Sequence, residues 1–232
     1  MADRPYTLLS CGMSIDGFLS TRATTRLMLS NDADFDRVDG ERAASDAILV
    51  GAGTIRKDNP RLLVRSAERR AARVDRGLPP SPTKVTVTRR AELDCAASFF
   101  ATDDTDKLVY CSTDAVDAAR DRLGSAADVV DAGRDISMRR VCEDLGDRGV
   151  RRLMVEGGGT VHTQLLTDDL ADELQLVVAP FFVGDSGACR FVGDGAYPWN
   201  PDRRATLAEV RQIDDVVLLR YALYPRFGTD AP

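Results

Sequence analysis

Arg152-Leu153-Met154-Val155-Glu156, then Gly157-Gly158-Gly159-Thr160, is the stretch on which the fold reading turns. The first five residues are short and mostly apolar, as in a buried strand, and the glycines end it. From Thr160 to about Leu166 the pattern is helical. The same grammar occurs earlier: Ala47-Ile48-Leu49-Val50 reads as a buried strand and stops at Gly51-Ala52-Gly53-Thr54. Strand, glycine turn and helix, used twice, belong to a parallel sheet covered by helices.

Working outward, Tyr6 to Met13 predicts another buried strand, punctuated by Ser14-Ile15-Asp16-Gly17. Ser30-Asn31 is a helix cap, with a helix from Asp32 to about Ser45. Ser66 to Pro82 is rich in arginine and then proline, and reads as a surface excursion. Alternation resumes with strands at Lys84–Thr88, Lys107–Cys111 and Asp128–Val130. Helices are expected from about Thr113 to Leu123 and from about Ser137 to Asp147. The tail differs: Glu173–Val183, Thr206–Ile213 and Val216–Tyr224 are strand patterns with no helix between them, the mark of an antiparallel edge. The expectation is one α/β domain over residues 1–232, without repeats or a linker.

Bulk properties narrow the function. The 232 residues carry a net charge of −6, so no global basic field exists to draw nucleic acid. Positive charge is nearly all arginine, since Lys57, Lys84 and Lys107 are the only lysines. Arginine is a good bidentate partner for phosphate. Five scattered cysteines without a C-x-x-C argue against disulfides and zinc, and a single histidine argues against a histidine metal centre. No signal-like or membrane-length apolar run is present. These features set the expectation of a cytoplasmic protein with no metal, acting on a small molecule.

Each glycine turn follows a strand and opens a helix, where free N–H groups and close backbone approach suit a phosphate. Gly51, Gly53 and Gly157–Gly159 are therefore candidate cofactor contacts. Neither turn fits G-x-G-x-x-G, because Arg56 and His162 stand at the third glycine position, and neither is a P-loop. Tight turns without a ligand remain the alternative for either one alone.

Family resemblance enters on four motifs. Ser14-Ile15-Asp16-Gly17 resembles the S-L-D-G motif of the riboflavin-pathway pyrimidine reductases. The run Arg42 to Leu62, completed by Leu63-Val64-Arg65, is similar to that family's longest signature. Val155-Glu156-Gly157-Gly158-Gly159 and Ala179-Pro180 match two more, in the right order. The resemblance implies a dihydrofolate-reductase-like three-layer fold, NADPH as cofactor and a homodimer. It puts Gly12, Thr54, Asp58 and Gly157–Thr160 beside NADPH, and Arg42, Leu62, Arg65 and Glu156 on the substrate side. By residue type alone, Arg42 would be a solvated helix face and Arg65 a loop charge. Departures are Ser10 and Phe18, where many bacterial members have lysine, and Met28, where many have tryptophan. His162 occupies the place of a tyrosine near the nicotinamide in many dihydrofolate reductases.

The implied reaction reduces a ribosylaminopyrimidine 5′-phosphate to its ribitylamino form: the sugar opens to an imine and hydride reaches C1′. Asp16 and Glu156 are candidates for orienting or protonating the reacting groups. No H-x-E with P-C-x-x-C occurs, so no fused deaminase is expected. The alternatives are a dihydrofolate or other pterin reductase, with Asp34 as its acidic residue, and a non-catalytic nucleotide-binding protein. Whether the pyrimidine is deaminated first is open.

Overall fold

The computed structural model describes residues 4–23, 27–101 and 105–227. They form two compact units, one built mainly on Asp39–Met154 and the other on Tyr6–Val38 with Val155 onward.

In the first unit, β2 (Ala47–Gly51), β3 (Thr83–Thr88), β4 (Lys107–Cys111) and β5 (Asp128–Asp131) pair in parallel. Leu49 stands opposite Val85, Val85 opposite Leu108, and Val109 opposite Val129. Strand order is β5-β4-β3-β2-β6, where β6 is Arg152–Gly157. Ile48, Leu49, Val85 and Val109 are wholly buried, the expected state of parallel strands covered on both faces. Helices α4 (Val116–Leu123) and α5 (Met138–Asp147) supply covering apolar side chains, among them Ala119, Val141 and Leu145. The Ser137 hydroxyl caps α5 by accepting the Arg140 N–H.

In the second unit, β1 (Tyr6–Ser14) pairs in parallel with β7 (Glu173–Ala179). The hairpin of β8 (Thr206–Ile213) and β9 (Val216–Ala222) adds to β7 antiparallel. Strand order is β6-β1-β7-β9-β8. β7 ends at Ala179, shorter than expected, because Pro180 has no N–H to give a ladder. The mostly parallel α/β arrangement with an antiparallel C-terminal edge is thus as the sequence suggested.

Helix α1 (Asp32–Ala43) begins in the second unit and ends in the first. Asn31 caps it through Oδ1, which accepts the Asp34 N–H at 3.0 Å.

The expected surface excursion after Ser66 is a correction. Residues Ala67–Asp75 form a helix, α3, capped by the Ser66 hydroxyl on the Arg69 N–H. Arg73 of this helix is buried. Its Nε donates to Pro79 O, and its Nη1 donates to Ala43 O and Ser45 O at 2.8 and 2.7 Å. One guanidinium thereby closes the end of α1, the entry to β2 and the proline-rich return.

Replacing Arg73 with Met should therefore cost about 2–4 kcal/mol, since three carbonyls lose a charged donor and a buried unpaired acceptor costs about 1–3 kcal/mol. Urea unfolding measures it. A loss under about 1 kcal/mol would mean that water replaces the guanidinium freely.

Candidate active site

The second unit holds the turn from β6 into α6 (Gly159–Thr167). Gly157 and Gly158 have φ of 138° and 81°, a region that L side chains rarely adopt. Two consecutive residues of this kind turn the chain sharply and point the start of α6 out of the strand's end. Gly159 is required for a different reason: a Cβ there would collide with the carbonyl oxygen of Arg190. Thr160 is exposed in the first turn, where helix N–H groups and the positive end of the dipole favour an anion. Glu156 is half-buried at the strand's end. Gly12 on β1 lies against Leu29, whose Cβ and carbonyl oxygen would stand 3.2 and 3.3 Å from an added Cβ.

Asp16 is engaged in local structure. Oδ1 accepts the Ser14 hydroxyl at 2.6 Å and the Val183 N–H at 3.0 Å, and Oδ2 accepts the Gly184 N–H at 2.7 Å. Desolvation opposes the ionised form, but these hydrogen bonds outweigh it and bring the pKa down to about 2. Asp16 is therefore ionised at neutral pH and ties its turn to residues 183 and 184.

His162, one turn into α6, is fully buried beside the Phe191 ring, with centroids 5.5 Å apart. Neither ring nitrogen has a partner of full hydrogen-bond geometry, although backbone of Phe191 and Val155 lies close. Burial pulls its pKa down to about 4, so the ring is neutral. Of the positions that depart from the family pattern, Ser10 and Phe18 are buried, and the Arg190 guanidinium lies 4.5 Å over the Phe18 ring. Met28 is exposed. Asp34 is buried and committed: it pairs with Arg37 at 2.6 Å and accepts the Ser30 hydroxyl.

The first unit holds the other candidates. Gly51 ends β2 and precedes α2 (Ala52–Asp58). Gly53 is exposed, and a Cβ built on it meets nothing within 4 Å, so the protein's own packing does not demand glycine there. Thr54 is partly buried and Asp58 is exposed at the helix end. Asn59 closes α2 with φ 44°, its N–H returning to Ile55 O. Leu62 has φ 53° yet is buried, so its side chain belongs to the core and only its backbone can meet a ligand. A bulky residue held in that region stores about 1–3 kcal/mol of strain.

Arg42 and Arg65 come together on one short segment. Arg42 Nη1 donates to Leu63 O at 3.2 Å. Arg65 gives its backbone N–H to Asp39 Oδ1 at 2.5 Å, and its Nε stands 3.9 Å from the same oxygen. Asp39 also accepts the Ser66 N–H and Arg69 Nη1, both at 3.0 Å. These contacts overcome burial and hold its carboxyl below the usual range. Arg70 Nη1 donates to Val64 O and Arg65 O at 2.9 and 2.6 Å. Sequence reasoning missed Asp39, Arg69 and Arg70. The available signal was the three-residue spacing of Asp39 and Arg42 on α1, which puts them on one helix face.

The chain matches the family model of the RibD C-terminal domain over residues 5–219. It is 37% identical over 182 residues to a protein of Archaeoglobus fulgidus named 2,5-diamino-6-ribosylamino-4(3H)-pyrimidinone 5′-phosphate reductase, covering 78% of this chain and 83% of that one. A Methanothermobacter thermautotrophicus protein of the same name is 34% identical over 194 residues, covering 83% and 86%. Among solved structures, a pyrimidine reductase-like protein of Corynebacterium diphtheriae gives a TM-score of 0.80 at 20% identity, over 95% of this chain and 92% of that one. A Thermotoga maritima deaminase/reductase gives 0.75 at 23% identity, over 94% and 56%. At such identities the structures speak to the fold alone.

His162 offers a direct check, because it is the sequence's one histidine and its NMR signals need no assignment. Its ring should titrate near 4 instead of the ordinary 6.5. A depressed pKa means that the unfolded chain binds more protons between those values. Stability should therefore be complete above pH 6.5 and fall as pH drops toward 4, by up to about 3 kcal/mol, a slope that His162→Leu flattens. A titration near 6.5 would show the ring to be solvated.

Proposed function

The chain belongs to the RibD C-terminal domain family, and on that premise we propose that it reduces a ribosylaminopyrimidine 5′-phosphate to the ribitylamino form, with NADPH. The undeaminated 2,5-diamino pyrimidinone is the substrate in this reading, after the names of the two archaeal relatives. The observation that carries the reading is the gathering of Arg42 and Arg65 onto residues 63–66 of the first unit, with Arg65 more than half exposed. Such a pair suits the dianionic phosphate of a sugar.

A nicotinamide cofactor fits the residues present. The open space at Gly53 and the glycine turn before α6 both allow phosphate to approach the backbone. Each unit offers contacts of its own by the family resemblance: Gly51, Gly53, Thr54 and Asp58 in the first, and Gly12 and Gly157–Thr160 in the second. When bound, NADPH supplies the hydride that reaches C1′ of the opened sugar.

The chain's own residues do the rest. Arg42 and Arg65 fix the phosphate, and the Leu62 backbone contacts the substrate. Glu156, at the end of β6, orients the substrate or gives the proton to the exocyclic nitrogen. Asp16 is assigned to bracing instead of proton transfer, because both its oxygens are taken up by the Ser14, Val183 and Gly184 donors. The commitment of Asp34 to Arg37 and Ser30 takes away support for a pterin acid. A homodimer belongs to the reading, supported by Leu207 and Val210, exposed on strand β8. So does the cytoplasm, supported by five free thiols. No helix among the described residues is long and apolar enough to cross a membrane.

Replacing Arg65 with Ala should weaken binding of the phosphorylated substrate by roughly 1.5–3 kcal/mol, the range for hydrogen bonds to a charged group, a rise in KM of about 10- to 150-fold. NADPH affinity should hardly change. The dephosphorylated substrate should bind the wild type poorly and be indifferent to the substitution, since its partner is absent in both measurements. Equal weakening of both substrate forms would remove the phosphate clamp.

A further inference from the structure

We propose that Asp39 is the positioning residue of the phosphate clamp, holding the backbone of residues 65 and 66 so that Arg65 is aimed at the phosphate. The proposal rests on the reading of Arg65 as a phosphate ligand.

The geometry demands an ionised carboxylate. Three hydrogen bonds converge on its two oxygens, from the Arg65 N–H on Oδ1 and from the Ser66 N–H and Arg69 Nη1 on Oδ2, and Arg65 Nε adds an ion-pair contact to Oδ1. An amide of the same shape has one acceptor oxygen, and its NH₂ would face two donors. Asp39 is nearly inaccessible to solvent, so water cannot make up the loss.

Its placement points to a role at the site. Residues 62–66 belong to no helix or strand, so their backbone groups must be paired from outside. Asp39 takes the N–H groups of residues 65 and 66. Arg42 and Arg70 take the carbonyls of residues 63, 64 and 65. Asp39 and Arg42 lie three apart on α1, so one helix face fixes the segment and also carries the second arginine of the clamp. The carboxylate meets Arg65 Nε only at 3.9 Å and leaves the guanidinium largely exposed. Asp39 thus sets where Arg65 starts and which way it leans, without burying it.

The test is Asp39→Asn, assayed with phosphorylated and dephosphorylated substrate, alone and combined with Arg65→Ala. A rise in KM of roughly tenfold or more is expected for the phosphorylated substrate, corresponding to about one hydrogen bond to a charged group. The value of kcat at saturation, the NADPH affinity and the KM of the dephosphorylated substrate should stay close to wild type. In the Arg65→Ala background Asp39→Asn should add nothing, because it acts through Arg65. An unchanged KM, or a rise shared by both substrates and persisting without Arg65, overturns the proposal while leaving the clamp intact. If Arg65→Ala itself leaves KM unchanged, the clamp reading fails, and the proposal falls with it. Should Asp39→Asn not fold, Asp39→Glu keeps the charge and displaces it by one methylene. It should raise KM for the phosphorylated substrate alone, and failure to do so counts against the proposal in the same way.

Discussion

A buried carboxylate that meets only donors, Asp39, is the constraint on which the conformation of residues 62–66 depends. The segment after Pro60 has no hydrogen-bonded partner strand of its own, and it contains Leu62 in a left-handed conformation. Nothing in the segment's own propensity would keep it there. Asp39 from α1 and Arg70 from α3 pair its N–H and C=O groups, and Arg73 ties the two helices' surroundings to the entry of β2. Charge runs through this arrangement in a fixed order. Arg69 and the backbone dipoles neutralise Asp39, and the Arg65 side chain stays more than half exposed.

The second unit solves a different problem by different means. Its β6 strand must hand over to α6 within two residues, and Gly157 and Gly158 meet this by adopting φ values closed to other residues. The tight turn brings residues 189–191 against the helix start, where Arg190 O occupies the space above Gly159 and Phe191 packs on His162. His162 is kept neutral by this enclosure. Asp16, by contrast, is kept charged, because the Ser14, Val183 and Gly184 donors outweigh its partial desolvation. Two ionisable groups in one unit thus differ: the enclosed His162 loses its charge to burial, and the partly exposed Asp16 retains its charge through local donors.

Much of this was legible in the residues. The apolar runs at Ala47–Val50 and Arg152–Glu156, each stopping at glycine, announce parallel strands, and the helix-free tail announces the antiparallel hairpin. Where sequence reasoning fell short, side chains did unusual work. Helix α3 was hidden because its core-facing residue is Arg73, a type that pattern analysis assigns to solvent. The family resemblance puts Leu62 on the substrate side, yet its side chain is in the core and its peculiarity lies in φ, which composition does not encode. Asp39 reads as one more acid on a charged helix until the chain folds three hydrogen-bond donors onto it. The glycines illustrate the limit well: Gly158, Gly159 and Gly53 look alike in sequence, but one answers to φ, one to a neighbouring carbonyl and one to open space.

Reduction at C1′ of a ribosylaminopyrimidine 5′-phosphate is the activity that the fold and the family assign to this chain. The most direct measurement incubates the purified protein with 2,5-diamino-6-ribosylamino-4(3H)-pyrimidinone 5′-phosphate and NADPH carrying deuterium at the transferring position. Product mass and NADPH absorbance are followed together. Stoichiometric loss of NADPH absorbance is expected, with a ribitylamino product carrying one deuterium on C1′ and formed faster than with NADH. Absence of NADPH oxidation with this substrate and with its deaminated counterpart, from protein that is folded and binds NADPH, would contradict it.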